Sequence, residues 1–364
     1  MRELIYLFLI GLFFTAELFA QSRFDHAKPG YAWQFPRDHG SHSNYETEWW
    51  YYTGQLWGMG EEPFRAPARY GFQLTFFRRG EVTQHKDPLW DNSFLAHAAL
   101  TTIYGTQKFV HAERRARGGI SIAGAAPAGL DLWNHLWSAR ESAGMHELDF
   151  SVQEESNVTQ LHLGLDARSI APLLNGEGGF SRKGPSPEHA SLYYSMPAIP
   201  LTGRISSSKG SEDVHGLAWM DHEFMTDALS PEQQGWDWVG LIGEKNEQIM
   251  LFRVRGKGSS APFLSGTVRT PQATKILSAV DFSMTEVDFW TSLKTRARYP
   301  IAWKIEIPSL NFSTQIRARL NEQEIVAPPD AVAPTYWEGA VASEAGSNVI
   351  GYLEMTGYAG REKP

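Results

Sequence analysis

The segment His215-Gly-Leu-Ala-Trp-Met-Asp-His-Glu-Phe224 reads as a β-strand, whose side chains alternate between two faces. His215, Leu217, Trp219, Asp221 and Glu223 then share one face, and Met220, His222 and Phe224 take the other. Two carboxylates beside an indole are unusual among apolar neighbours. If that face is enclosed, each must be paired, hydrogen-bonded or protonated, because an unpaired buried charge costs several kcal/mol or more. A carboxyl kept protonated near neutral pH is a general acid. The alternative is a rim position, where both are solvated or paired with arginines.

Strand signals recur at short intervals on both sides of this segment. Glu46–Gly54 (ETEWWYYTG) is rich in strand-favouring aromatics. Tyr70–Arg78 (YGFQLTFFR) puts Tyr70, Phe72, Leu74 and Phe76 on one face. Phe94–Thr102, Leu148–Gln153, Gln160–Ala167, Ser191–Met196 and Leu201–Ser206 follow, separated by loops at Gly178–Pro187 and Ser207–Asp213. Only Asp131–Arg140 and Pro231–Gln234 suggest helix. The pattern is all-β, of sandwich or barrel type.

The second half restarts it. Gly235–Ile242 (GWDWVGLI) resembles the Trp-rich opening at Glu48–Leu56, and Gln248–Arg255 resembles Phe72–Arg78. A duplicated β-domain is expected, with a boundary near Thr226–Gln234 and units at residues 45–226 and 227–364. Ile301–Ile307, Phe312–Leu320 and Val349–Tyr358 add strands to the second unit.

A chain of 364 residues suits two domains. The 13 Trp, 13 Tyr and 20 Phe supply a large core. With 33 basic and 41 acidic residues, a net charge of −8 and no basic run, nucleic acid is not the expected partner. There is no cysteine, which excludes disulfides, thiolate nucleophiles and Cys-based metal centres. At the N-terminus, Arg2, the apolar run Leu4–Ala16 and a cleavage site after Ala20 read as a secretory signal peptide over residues 1–20. Residues 21–44 form a polar, extended lead-in. The expected product is exported, and periplasmic in a Gram-negative source.

Several chemistries are excluded by motif. No G-x-S-x-G elbow, H-E-x-x-H or Gly-rich phosphate loop occurs. Asp221, His222 and Glu223 have metal-ligand residue types, yet adjacent strand residues point apart and cannot share one ion without a bend. Neither metal nor cofactor is expected. What remains is carboxylates among aromatics: Glu46 and Glu48 with Trp50 and Tyr52, and Asp221 and Glu223 with Trp219. Such a site suits protonation of an isolated C=C bond, stabilisation of the carbocation by aromatic faces, and addition of water. His97, inside an apolar strand, is either a satisfied core histidine or a site residue.

The motifs Glu48-Trp-Trp-Tyr-Tyr-Thr-Gly54, Tyr70–Arg78, Ala96-His-Ala-Ala-Leu100, Leu217–Phe224, Gly235-Trp-Asp-Trp-Val-Gly240, Tyr336-Trp-Glu-Gly339 and Gly351–Tyr358 resemble the hydroxyneurosporene synthase (carotenoid 1,2-hydratase) and AttH-like family. The resemblance runs in order through nearly the whole mature chain. It implies two tandem lipocalin-like antiparallel β-barrels and an exported protein acting on, or carrying, a hydrophobic molecule. By that resemblance Asp221 is the acid, with Trp219 and Tyr194 around the cation. The hydratase's histidine partner falls at Leu192, where this chain has none. Glu48, Trp50, Tyr52, His97 and Glu223 are expected to bind substrate. The implied partner is an isoprenoid or lipid, with peripheral membrane contact allowed. Two readings stand: a hydratase, in which Asp221 has a raised pKa, and a lipocalin-like carrier, which tolerates Asp221 bound to an arginine such as Arg204.

Overall fold

The computed structural model describes residues 24–81, 92–119, 122–226, 229–327, 334–344 and 348–360. The signal segment at 1–20 lies outside the described residues. No helix among the described residues is long and apolar enough to cross a membrane.

Among them the chain forms two antiparallel sheets, of 13 and 10 strands, each curled into a barrel. The first begins with Thr47–Gly58, followed in pairing order by Tyr70–Gly80, Asn92–Thr102 and Lys108–Arg117. Thr47–Gly58 also pairs with the sheet's last strand, Gly210–Met225. The second sheet repeats this layout. Its first strand, Gln233–Gly243, lies between Gln248–Gly256 and the last strand, Val349–Thr356. The sequence likeness between the two Trp-rich openings is therefore matched in topology.

Strand alternation divides the aromatics between three places. Trp50, Tyr52, Phe72, Leu74, Tyr194 and Met220 fill the first barrel. Trp303, Tyr299, Trp337 and Leu353 fill the second. Tyr51, Trp57, Tyr193, Trp219, Trp238 and Tyr352 form a third core where the barrels pack back to back. Each large apolar side chain buried there contributes about 1.5–3 kcal/mol. Polar clamps fix the approach: Gln55 Nε2 donates to the carbonyls of Val341 (2.8 Å) and Gly351 (2.9 Å). A Cβ on Gly71 would lie 2.9 Å from Cβ of Ala340, so glycine is needed at that contact.

Four local readings change. Asp131–Arg140 is not helical but a hairpin of Asp131–Asn134 with Trp137–Ser142, and its turn places His135 at φ 56°. A segment this short is marginal as a helix without packing, whereas as strands it buries Leu132, Trp137 and Ala139. Within Pro231–Gln234, the second sheet already begins at Gln233. The loop at Gly178–Pro187 contains a strand, Phe180–Arg182, paired with Ala190–Leu192. Ser191–Met196 and Leu201–Ser206 belong to one strand, Ala190–Ser207, bulged between Met196 and Ile199, and a two-residue turn then leads into Gly210–Met225.

The lead-in is more than a spacer. Its 3-10 turn, Arg37–His39, buries Asp38 and His39, and the Trp50 indole donates to the His39 carbonyl at 2.9 Å.

Candidate functional site

The strand Gly210–Met225 separates two polar clusters. Asp221 and Glu223 face the groove between the barrels, while Met220, His222 and Phe224 face the first barrel's interior. The groove encloses a cavity of about 590 Å³, within the range typical of small-molecule sites. Tyr51, Tyr193, Trp238 and Tyr336 line it together with the carboxyls of Asp221, Glu223, Glu338 and Glu354.

Asp221 is 4% exposed and has no cationic partner among the described residues. Its Oδ1 accepts from Ser195 Oγ (2.5 Å) and Trp219 Nε1 (2.7 Å), and its Oδ2 accepts from the Tyr193 hydroxyl (2.6 Å). Burial pushes its pKa from 3.8 up to about 7, against the pull of these three donors; the nearby Glu223 adds to the rise. Oδ2, accepting one bond, keeps room for a proton. Second-layer contacts hold the donors: Trp238 Nε1 donates to the Tyr193 oxygen at 3.0 Å, and Asn175 Nδ2 to Ser195 Oγ at 2.8 Å.

The other carboxyls differ by their partners. Glu223 is paired with Lys183 at 2.5 Å and accepts from the Ser191 hydroxyl. Glu354 is pushed up to about 8 by burial, against a 3.0 Å bond from Trp236 Nε1, and the charges of Asp221 and Glu223 add to the shift. Glu338 lies well above the usual carboxylate range, through burial and the proximity of Glu354. Neither of its oxygens makes a hydrogen bond of ordinary geometry among the described residues, although the Tyr51 and Tyr336 hydroxyls lie nearby. The cavity thus combines carboxyls whose affinity for a proton is raised by burial with one carboxyl paired to a lysine.

Inside the first barrel the same strand makes the opposite environment. Glu48 Oε1 meets His42 Nδ1 (2.8 Å) and His222 Nε2 (2.9 Å), and Oε2 accepts from Arg78 Nε (2.9 Å). Burial works against the ionised form, but the histidine hydrogen bonds and the Arg78 charge hold Glu48 well below the usual range. His222, which burial keeps neutral, donates through Nε2 to this carboxylate. Its Nδ1 lies 3.1 Å from the Tyr194 hydroxyl and 3.2 Å from the Asp38 carbonyl, and the Tyr194 hydroxyl lies 2.6 Å from His39 Nδ1. Burial pushes His39 down to about 3 and His146 to about 4, so both rings are neutral.

The expected site residues therefore separate. Asp221 and Glu223 line the cavity. Trp219 holds Asp221 and packs edge-on against Trp238, but it does not line the cavity. Tyr194 does not join Asp221; it points into the barrel, and its neighbour Tyr193 takes that place, as strand alternation demands. Glu48, Trp50 and Tyr52 likewise face the barrel interior, with Trp50 stacked on His222 and Tyr52 3.1 Å from His146 Nδ1. The cavity-facing residues of their strand are Thr47, Trp49 and Tyr51. His97 is a satisfied buried histidine, bonded to the Tyr336 hydroxyl (2.7 Å) and Glu113 (3.0 Å), and it reaches the cavity through Tyr336. Arg204 pairs with Asp213 at 2.7 Å rather than with Asp221.

Glu338 and Glu354 escaped sequence reasoning as site residues. Their motifs, Tyr336–Gly339 and Gly351–Tyr358, were visible, but only the packing of the second barrel on the first brings them opposite Asp221. Asp221, His222 and Glu223 do not converge on one point. Two groups of metal-ligand type do form among the described residues, His39/Glu141/His146 and His42/Glu48/His222.

Comparison with known proteins agrees with this architecture. A crystal structure described as an AttH of Nitrosomonas europaea is 31% identical and superimposes with a TM-score of 0.79, covering 92% of this chain and 99% of that one. Kievitone hydratase of Nectria haematococca shares the fold at 14% identity, with a TM-score of 0.58 over 86% of this chain and 89% of that one. A curated relative, dehydratase asqC of Emericella nidulans, is 25% identical over 162 residues, 42% of this chain and 44% of the relative. That match spans less than half the relative's length. The AttH-like family model matches residues 26–358, nearly the whole described chain, and the protein belongs to the AttH-like family.

Proposed function

We propose that the protein is a hydratase-type hydro-lyase acting on an apolar substrate in the cavity between the barrels, with Asp221 as its acid. The observation that carries this reading is a carboxyl pushed up to about 7 among aromatic rings, with hydrogen-bond donors but no cationic partner among the described residues. The partial match to a dehydratase supports the same chemistry, since dehydration is its reverse. Protonated Asp221 gives its proton to one carbon of a C=C bond. The carbocation at the other carbon is stabilised by the faces of Tyr51, Tyr193 and Trp238. Water adds to that carbon, and the proton it releases returns to the Asp221 carboxylate. General acid catalysis of this kind contributes about 10²–10⁴-fold.

The finer substrate reading is an isoprenoid or lipid bearing an isolated double bond, with acyclic carotenoids the first to test. Export rests on the apolar run Leu4–Ala16. Purified protein and Asp221→Asn would each be incubated with lycopene or neurosporene, and gain of one water followed by mass spectrometry. Gain by wild type alone supports the proposal. Equal binding with no product from either form points to a carrier.

A further inference from the structure

We propose that His39, Glu141 and His146 form a metal site inside the first barrel, suited to a zinc-class divalent ion. The site is separate from the cavity that holds Asp221.

The lead-in and one hairpin converge there, Glu141 and His146 being cross-strand partners in that hairpin. His39 ends the 3-10 turn of the lead-in, Glu141 lies on Trp137–Ser142 and His146 on Met145–Glu154. Each offers one ligand atom, and the three atoms lie within 4.8 Å of one another. The two imidazole rings meet edge to face, 5.7 Å apart.

The hydrogen bonds leave these groups unspent. His39 Nδ1 faces the Tyr194 hydroxyl at 2.6 Å, and His146 Nδ1 faces the Tyr52 hydroxyl at 3.1 Å. Neither Nε2 makes a hydrogen bond among the described residues, and neither does the Glu141 carboxylate. His39 and His146 are only 5% and 1% exposed. With His39 Nδ1 as the donor to the Tyr194 oxygen, the ring's lone pair stands on Nε2. A histidine held at one ring nitrogen and open at the other is how metal-ligating imidazoles are oriented. Two such histidines with one carboxylate match the donor set of zinc sites that keep an open position. Around tetrahedral zinc the ligand atoms stand about 3.4 Å apart, which needs a modest closing of the side chains, and Glu141 is only half-buried.

The second group is built differently. In His42/Glu48/His222 the carboxylate oxygens already accept from both histidines, and Arg78, 2.9 Å from Glu48, supplies the positive charge. No ligand atom is spare there, and a second cation would be repelled.

A metal at His39 would tie the lead-in to the barrel wall. The test is to strip the purified mature protein with EDTA and titrate it with Zn²⁺ by calorimetry, and with Co²⁺ by visible absorption. One equivalent should bind. Glu141→Gln and His146→Ala should each weaken binding by at least about tenfold. His162→Ala, at an exposed histidine paired with Asp149, should bind as wild type. Because the Glu141 carboxylate makes no hydrogen bond among the described residues, its variant should fold, as near-ultraviolet circular dichroism would check. The proposal is overturned if wild type takes up no metal, or if neither Glu141→Gln nor His146→Ala weakens its uptake.

Discussion

Glu48 and Asp221 sit on paired neighbouring strands, both almost wholly buried, yet their protons behave oppositely. Glu48 meets Arg78, His42 and His222 and stays ionised; Asp221 meets only neutral donors and is pushed up to about 7. Depth is therefore not what separates a structural carboxylate from an acid. The presence of a cation is. Two faces of one strand pair give a rigid ion-pair network on one side and a proton donor on the other.

The largest effect should come from Asp221→Asn, which removes the transferable proton while keeping nearly the same shape. Turnover of any hydrated substrate should fall by about 10²–10⁴-fold with substrate affinity retained, as parallel binding and product assays would show. Lost affinity would move Asp221 from acid to binding group.

On the other face, Arg78→Met should cost stability rather than chemistry. It leaves Glu48 buried beside two histidines without its cation, a loss of about 3–5 kcal/mol readable by urea denaturation. A cost near that of a surface substitution would mean that the histidines alone hold the charge.

A smaller test separates the two adjacent tyrosines. Tyr193→Phe removes a donor that favours ionised Asp221, so the pKa of the acid should rise. Because the protonated form is active, the fall of activity with pH should move to higher pH. Tyr194→Phe, which faces the barrel, should leave that limb in place. Equal shifts in both would break the two-face description.

The last contrast is in stability against pH. Folded Asp221 binds its proton more tightly than unfolded aspartate, so its contribution is full below about 3.8 and is lost as pH rises through about 7. Glu48 runs the other way: its contribution is present above its ordinary value of 4.5 and lost as pH falls. Asp221→Asn should flatten the decline between about pH 4 and 7 in thermal melts and leave the acid side unchanged.

Much of this was legible in local pattern, and the failures share a cause. Period-two alternation correctly grouped Trp219, Asp221 and Glu223 on one face, and Glu48, Trp50 and Tyr52 on another. It carried no information about which face would meet a second barrel. Tyr194 was placed beside Asp221 by the family resemblance, whereas the ladder sets Tyr193 and Ser195 on the Asp221 side. Asp131–Arg140 looked helical because a short segment shows its propensity but not the partner strand that overrides it.

The sequence by itself determined an all-β chain with two similar halves, and a strand carrying two carboxylates beside a tryptophan. These features are written in spacing, because side-chain direction along a strand depends only on neighbouring residues. Only the tertiary structure decided that Glu338 and Glu354 face Asp221, that Arg78 neutralises Glu48, and that His39 meets His146. Those pairs are far apart in the chain, and it is packing, by removing water and choosing each charge's neighbours, that decides where a proton stays.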